Sequence, residues 1–135
     1  MTTKTDDAIR YVVASAKSVD QAQQDVTAAA QKRKFGVLHS YDLKQTLKGK
    51  GFDLEPEVRV LEICSPSHAD RVLKAEVAMN MALPCRISIW QEGGRTWIGM
   101  VRPKAMLEML TQHPALREIA DEVEHLMLEM ISEAR

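Results

Sequence analysis

The side chains best suited to chemistry in this chain of 135 residues are its two cysteines. Cys64 ends the apolar run Val-Leu-Glu-Ile-Cys-Ser-Pro (60–66), and Cys85 opens another in Leu-Pro-Cys-Arg-Ile-Ser-Ile-Trp (83–90). Each sits where a proline-marked turn meets a strand-like segment, so each can present a thiol at a strand end. Twenty residues separate them. That spacing is unlike a Cys-x-x-Cys redox pair or a zinc knuckle, in which proximity along the chain fixes the sulfurs, and only folding can bring these two together. If the strand ends meet, Cys64 and Cys85 with His68, one helical turn from Pro66, form a set able to hold a soft metal or to cycle as a dithiol. If they do not, each thiol is a small buried hydrophobe, the usual state of a free cysteine. Strand parity puts Cys85 on one face with Ile87 and Ile89, and Cys64 on a face with Glu62, Val60 and Val58.

Other candidates are weaker. His39 shares a strand face with Val37, Tyr41 and Leu43, which suits a half-buried histidine, and His39 with Tyr41 is a candidate ligand or interface pair. Trp90 and Trp97 fall opposite one another across a hairpin and share one face, near Ser88 and Gly99. Two uncovered indoles would be unusual on a monomer, so a dimer partner or a terminal helix is expected to cover them, with a stacked ligand as the lesser option. Asp121, His125 and Glu129 follow at helical spacing and read as a solvated face. Gly49 and Gly51 after a lysine-rich turn are explained as a helix terminus without an anion. The chain has no Gly-x-Ser-x-Gly elbow, no phosphate loop and no His-Glu-x-x-His. An enzyme using Asp42, His39 or Tyr41 as acid or base therefore lacks a supporting constellation, and no catalytic residue or required cofactor is assigned.

The elements that must position these groups follow from periodicity. Residues 1–8 are polar and are expected to be a frayed or disordered tail. Ile9–Ala16 reads as a first strand. Ser18 and Gln21 make a capping box, and Val19, Ala22, Val26, Ala29 and Ala30 recur at helical spacing, predicting a helix over 19–34 closed by Gly36. Val37–Leu43 alternates as a second strand. A short capped helix follows from Asp42 to the glycines, and a third strand spans Val58–Cys64. Pro66 opens a helix containing Ala69, Val72, Leu73 and Ala75, and residues 79–83 form a connector.

Arg86–Val101 is the clearest hairpin, with Gly93-Gly94 as a two-residue turn. That turn sets Glu92 against Arg95, Trp90 against Trp97 and Ile89 against Ile98, and makes Ile87, Ile89, Ile98 and Met100 a core stripe. Pro103 begins another helix, His113-Pro114 breaks it, and a last helix carries Leu116, Ile119, Val123, Leu126, Met127 and Met130 on one face. The hairpin rules out an all-parallel sheet. The expected fold is α+β, an antiparallel sheet with helices packed on one face.

Composition narrows the functional classes. With 45% hydrophobic and 27% charged residues the chain is a globular one, and 135 residues suit a single domain over 1–135 with one core. Aromatics are scarce and methionines number 8, so the core is aliphatic with soft filler. A formal charge of −1 without a basic stripe argues against nucleic-acid binding. No apolar run reaches the roughly 20 residues of a membrane span, and the amino terminus lacks a signal-peptide pattern. A cytoplasmic protein with reduced thiols and no membrane contact is expected.

Residues 35–103 resemble the core of a bacterial family catalogued as domain of unknown function 302. The matching stretches are Phe35-Gly-Val-Leu38, Asp42-Leu-Lys-Gln-Thr-Leu-Lys-Gly-Lys-Gly51, Ile63-Cys-Ser-Pro-Ser-His-Ala69, Leu83-Pro-Cys-Arg-Ile-Ser-Ile-Trp90 and Glu92-Gly-Gly94, in the family's order. Family members typically read Cys-Asn-Pro where this chain has Cys64-Ser65-Pro66. The resemblance implies a β-α-β(4)-α fold similar to the TATA-box-binding-protein-like group and a homodimer; it does not imply DNA binding, because a fold does not carry a function. The expected function is that of a non-enzymatic homodimer binding a small molecule or a protein partner between sheet and helix. The alternative is a thiol-based metal or redox protein using Cys64 and Cys85.

Overall fold

A computed structural model describes residues 3–135. Six strands, β1 (Thr3–Asp6), β2 (Arg10–Ser15), β3 (Gly36–Asp42), β4 (Val58–Cys64), β5 (Cys85–Glu92) and β6 (Arg95–Val101), form one antiparallel sheet in the order β1-β2-β6-β5-β4-β3. The helices are α1 (Val19–Lys32), α2 (Leu43–Gly49), α3 (Pro66–Ala75), α4 (Pro103–Leu110) and α5 (Pro114–Ala134), with a 3-10 turn over Val77–Ala82. The α+β class with an antiparallel sheet is as expected from the hairpin and the helical stripes.

One sheet face is the core. Val13, Leu61, Ile63, Ile87, Ile89, Ile98 and Met100 alternate along their strands and pack against Val26 of α1, Val72 of α3, Leu107 of α4, and Ile119, Met127 and Met130 of α5. The apolar stripe of α1 is buried at all five expected positions. Ser18 caps that helix, its hydroxyl accepting from the Gln21 amide at 3.1 Å, and Asp42 caps α2 through the Gln45 amide at 3.0 Å. His113 separates α4 from α5, and its Nδ1 accepts from the Ala115 amide at 3.2 Å.

Four local expectations differ from the structure. Residues 3–6, placed above in a frayed tail, form β1 and pair with β2; Met1 and Thr2, the start of that tail, lie outside the described residues. Arg102 helps to fix this segment. Its guanidinium pairs with Asp6 and with Glu124 of α5, donates to the Asp7 carbonyl, and lies 5.4 Å from the Tyr11 ring. Helix α1 is closed not by Gly36 but by Lys34, whose φ of 64° lets the Phe35 amide return to the Ala30 carbonyl; Gly36 already belongs to β3.

The alternation of β3 is interrupted by a register shift between Val37 and His39. A bulge adds one residue on one strand, so Val37 stays opposite Ile63 on the core face while His39 and Tyr41 fall opposite Glu62 and Val60 on the other. His39 is consequently exposed rather than half-buried. Leu43 leaves the strand to begin α2.

The hairpin has the expected register, with Glu92 against Arg95, Trp90 against Trp97 and Ile89 against Ile98. Gly93 and Gly94 both take positive φ, as a primed turn requires. The two indoles lie on the face opposite the core, yet no terminal helix covers them, because α5 packs on the core side. Trp97 is only 8% exposed. Its Nε1 donates to the Glu92 carbonyl at 3.0 Å, and the Lys4 ammonium of β1 stands 5.1 Å from its ring while pairing with Glu92. Trp90 lies across Gly99: a Cβ at that glycine would stand 3.0 Å from the Trp90 ring and 3.0 Å from Val12. Gly99→Val is expected to force the indole aside and to lower stability by about 1–3 kcal/mol despite the better strand propensity of valine. Urea unfolding followed by tryptophan fluorescence checks this; an unchanged midpoint and emission would mean that the ring does not rest there.

Candidate functional site

The sheet is not closed along its whole length. β5 and β6 pair from Glu92–Arg95 to Ser88–Gly99 and no further. Beyond that point Ile87, Arg86 and Cys85 remain with Leu61, Glu62 and Ile63 of β4, while Met100 and Val101 remain with Tyr11 and Arg10 of β2. The two strands part, and a cavity of about 440 Å³ lies at the opening. Its walls come from β4, β5, β6, the 3-10 turn and the helices α3, α4 and α5.

The lining has two characters. Val72, Met106, Leu107, Ile119, Ala120 and Val123 supply an apolar wall from the helices. The polar side chains all come from the β4–α3 junction and from β5: Cys64, Ser65, His68, Cys85, Arg86 and Ser88. Residues of both sheet faces take part, Cys85 and Met100 from the core face and Arg86, Ser88 and Val101 from the other. This lining places the cavity at the gap between the parted strands.

The cysteines do converge on this cavity. Ile63 is the register partner of Cys85, and Cys64 is its chain neighbour. Both thiols are free and half-buried. Burial pushes the Cys85 thiol up to about 11, and the nearby Cys64 adds to the rise; burial also raises Cys64 above its ordinary value. Thiols held in this way are poor nucleophiles at neutral pH.

His68 joins them on the wall. Its Nδ1 shares a hydrogen bond with the Ser65 hydroxyl at 2.7 Å, and its ring stacks on Phe35 at 6.2 Å between centroids. Ser65 is the N-cap residue of α3 but gives the helix no side-chain hydrogen bond. An asparagine there would be among the preferred capping residues; Ser65 turns its hydroxyl to His68 instead. Among the described residues, no three His, Cys, Asp or Glu side chains stand close enough to share a metal ion. Cys64, Cys85 and His68 thus share a wall without forming a ligand cluster. On α5, His125 pairs with Glu129 at 3.4 Å while Asp121 pairs with Lys104 at 3.3 Å.

The remaining candidates lie outside the cavity on the face away from the core. Tyr41 stacks on His39 at 6.1 Å and donates its hydroxyl to Glu62 at 2.7 Å. That hydrogen bond to the carboxylate raises the Tyr41 phenol above its ordinary value. The other Glu62 oxygen faces Arg86 at 3.4 Å. Glu62 is 7% exposed although it sits in an apolar run, and its hydrogen-bonded partners account for it. Trp90 and Trp97 belong to the hairpin end of this face and do not reach the cavity lining.

Sequence reasoning named three lining residues, Cys64, Cys85 and His68. It passed over Arg86 and Ser88, whose signal is visible as polar positions alternating with the core stripe of β5. It gave no cavity role to Val72, Leu107, Ala120 or Val123, because an apolar helical stripe looks the same over a filled core and over an empty one.

The protein-family model described as "Domain of unknown function DUF302" matches residues 11–134. A crystal structure of an uncharacterized conserved protein DUF302 from Bacillus stearothermophilus is similar, with a TM-score of 0.90 and 29% sequence identity over 96% of this chain and 100% of that one. No curated protein matches the chain. No helix among the described residues is long and apolar enough to cross a membrane.

Proposed function

This chain belongs to the DUF302 family, a family of unknown function, and from its cavity we propose that it is a non-enzymatic binding protein for a small, mostly apolar molecule. The observation that carries this reading is the cavity of about 440 Å³ between the parted strands and the helices. That volume lies within the roughly 300–1,000 Å³ of small-molecule sites, and an apolar wall with a few convergent polar groups is their usual chemistry. The high-lying Cys85 thiol supports binding over thiol catalysis.

The test is the uncharged fluorescent probe N-phenyl-1-naphthylamine. We expect saturable enhancement with one site per chain, and affinity at least about tenfold weaker in Ala120→Phe, whose ring would occupy the space facing an alanine that is 1% exposed. Val123→Phe serves if Ala120→Phe does not fold. No saturable binding by the wild type, or equal binding by a folded variant, would overturn the reading.

We further take the molecule to be a homodimer in a reducing compartment such as the cytoplasm. Two free cysteines suit that setting. The face opposite the helices presents Val12, Val58, Val60 and Tyr41, none of them fully buried, and offers a self-complementary surface for a twofold partner. Light scattering after size exclusion should give a dimer mass for the wild type and a monomer for Val60→Lys. A monomeric wild type at high concentration would count against it.

A second reading keeps the two thiols as a redox pair, because Cys64 and Cys85 line one cavity. A peroxide would accept two electrons and two protons as the sulfur–sulfur bond forms. Intact-mass analysis after mild peroxide, showing loss of two hydrogens restored by reductant, supports this reading; unchanged free thiols exclude it.

A further inference from the structure

The segregation of the cavity wall and the parting of β5 from β6 say more about the ligand than its apolarity. We propose that the cavity takes an apolar-bodied monocarboxylate, with its body among α3, α4 and α5 and its anionic head at Arg86. This rests on the cavity reading above.

Three observations lead there. Arg86 and Ser88 belong to the lining from the face that no core helix covers, at the gap between the parted strands, and Ser88 pairs in register with Val60, so a twofold partner there would close over this mouth around a bound head group. An elongated ligand can therefore bury one end against Val72, Leu107, Ala120 and Val123 while the other reaches this mouth.

Arg86 is also only partly committed, to Glu62 alone among the described contacts. Its side chain is 67% exposed and stands 3.4 Å from the Glu62 carboxylate, longer than the roughly 2.7–2.9 Å of a charge-assisted hydrogen bond. Glu62 meanwhile receives the Tyr41 hydroxyl at 2.7 Å. The buried carboxylate thus positions the guanidinium at the mouth without saturating its five donors. A carboxylate head matches the planar fork of Arg86, and the Ser88 hydroxyl beside it can donate a further hydrogen bond.

Polarity is distributed to suit such a ligand. Among the described lining residues Arg86 is the one lysine or arginine, and none is an aspartate or glutamate. The net charge of −1 gives no general attraction for anions, so any preference for a carboxylate must be local. Glu62 stands beside Arg86, and its charge makes a cationic head the natural competitor to test.

Calorimetric titration of the full chain at neutral pH with decanoate, 1-decanol and decylamine separates the possibilities. The expected result is decanoate binding about fivefold or more tighter than decanol, with decylamine weakest. Arg86→Gln should abolish the preference for decanoate over decanol, and Arg86→Lys should retain part of it. Equal binding of decanoate and decanol by the wild type overturns the proposal, as does tighter binding of decylamine or a preference that survives Arg86→Gln. If decanol binds and Ala120→Phe abolishes it, the cavity reading stands whatever the head-group result. If none of the three binds, both fall.

Discussion

Trp97→Asp is expected to lower the free energy of unfolding by at least about 4 kcal/mol, most of what a small domain possesses. The indole is 8% exposed although it lies on the face away from the core. Its burial comes from the sheet itself: Ala14 is its register partner on one side and Trp90 on the other, and Lys4 of β1 lies over its ring. Aspartate would forfeit the ring's dispersion contacts, leave the Glu92 carbonyl without its indole donor, and put a carboxylate into a space shaped for carbon. The nearby Lys4 ammonium offsets part of that last cost but is itself paired with Glu92.

Urea unfolding followed by circular dichroism measures the loss, with Trp90→Phe as a milder companion. A midpoint within about 1 kcal/mol of the wild type would mean that the indole is free to serve a partner. The result also bears on assembly. Because Trp97 is an internal anchor, its substitution cannot report on a dimer interface, and Val60→Lys on the open face is the informative variant.

The strongest local signals in the sequence carried through to three dimensions. Gly93-Gly94 permits only a narrow class of turn, and with period-2 alternation it determines every pair from Ser88–Gly99 to Glu92–Arg95. Pro66, Pro103 and Pro114 open helices because proline suits a first helical turn and no later one. Where the reading and the structure part, the cause is a tertiary interaction that no window of sequence contains. The bulge at His39 answers to the register of β4, not to the composition of β3. Strand β1 has little propensity of its own and is held by Arg102 and Lys4 reaching across from or to distant elements.

The site shows the same division. Parity correctly put Cys85 with Ile87, and it put Cys64 on the opposite face. Both nevertheless line one cavity, because parity describes a continuous sheet and here β5 and β6 separate beyond Ser88. An interruption of pairing leaves no mark in the alternation of either strand. The same interruption turns Arg86 and Ser88 from ordinary outward positions into the rim of a cavity.

At alkaline pH the Cys85 thiol should become a measurable liability. Its pKa is raised from 9.0 to about 11, first by burial and second by the nearby Cys64. A thiol that ionises later in the folded chain than in the unfolded one stabilises the fold in its neutral form. That contribution is fully present below pH 9 and is lost as the pH climbs toward 11, because the unfolded chain releases its proton first. The difference amounts to about 3 kcal/mol at the upper end. Cys64 and Tyr41 act in the same direction, Cys64 through burial and Tyr41 through its hydrogen bond to Glu62, so the decline of the wild type alone does not isolate one group. The discriminating quantity is the difference between wild type and Cys85→Ala, unfolded in urea with reductant from pH 8 to pH 11. Lost packing lowers the variant by a constant amount, whereas the thiol's ionisation makes the two curves converge as the pH rises. Parallel curves would mean that Cys85 ionises in the fold as readily as in the open chain. A thiolate would then be within reach of ordinary pH, and the redox reading of the Cys64–Cys85 pair would gain the nucleophile it now lacks.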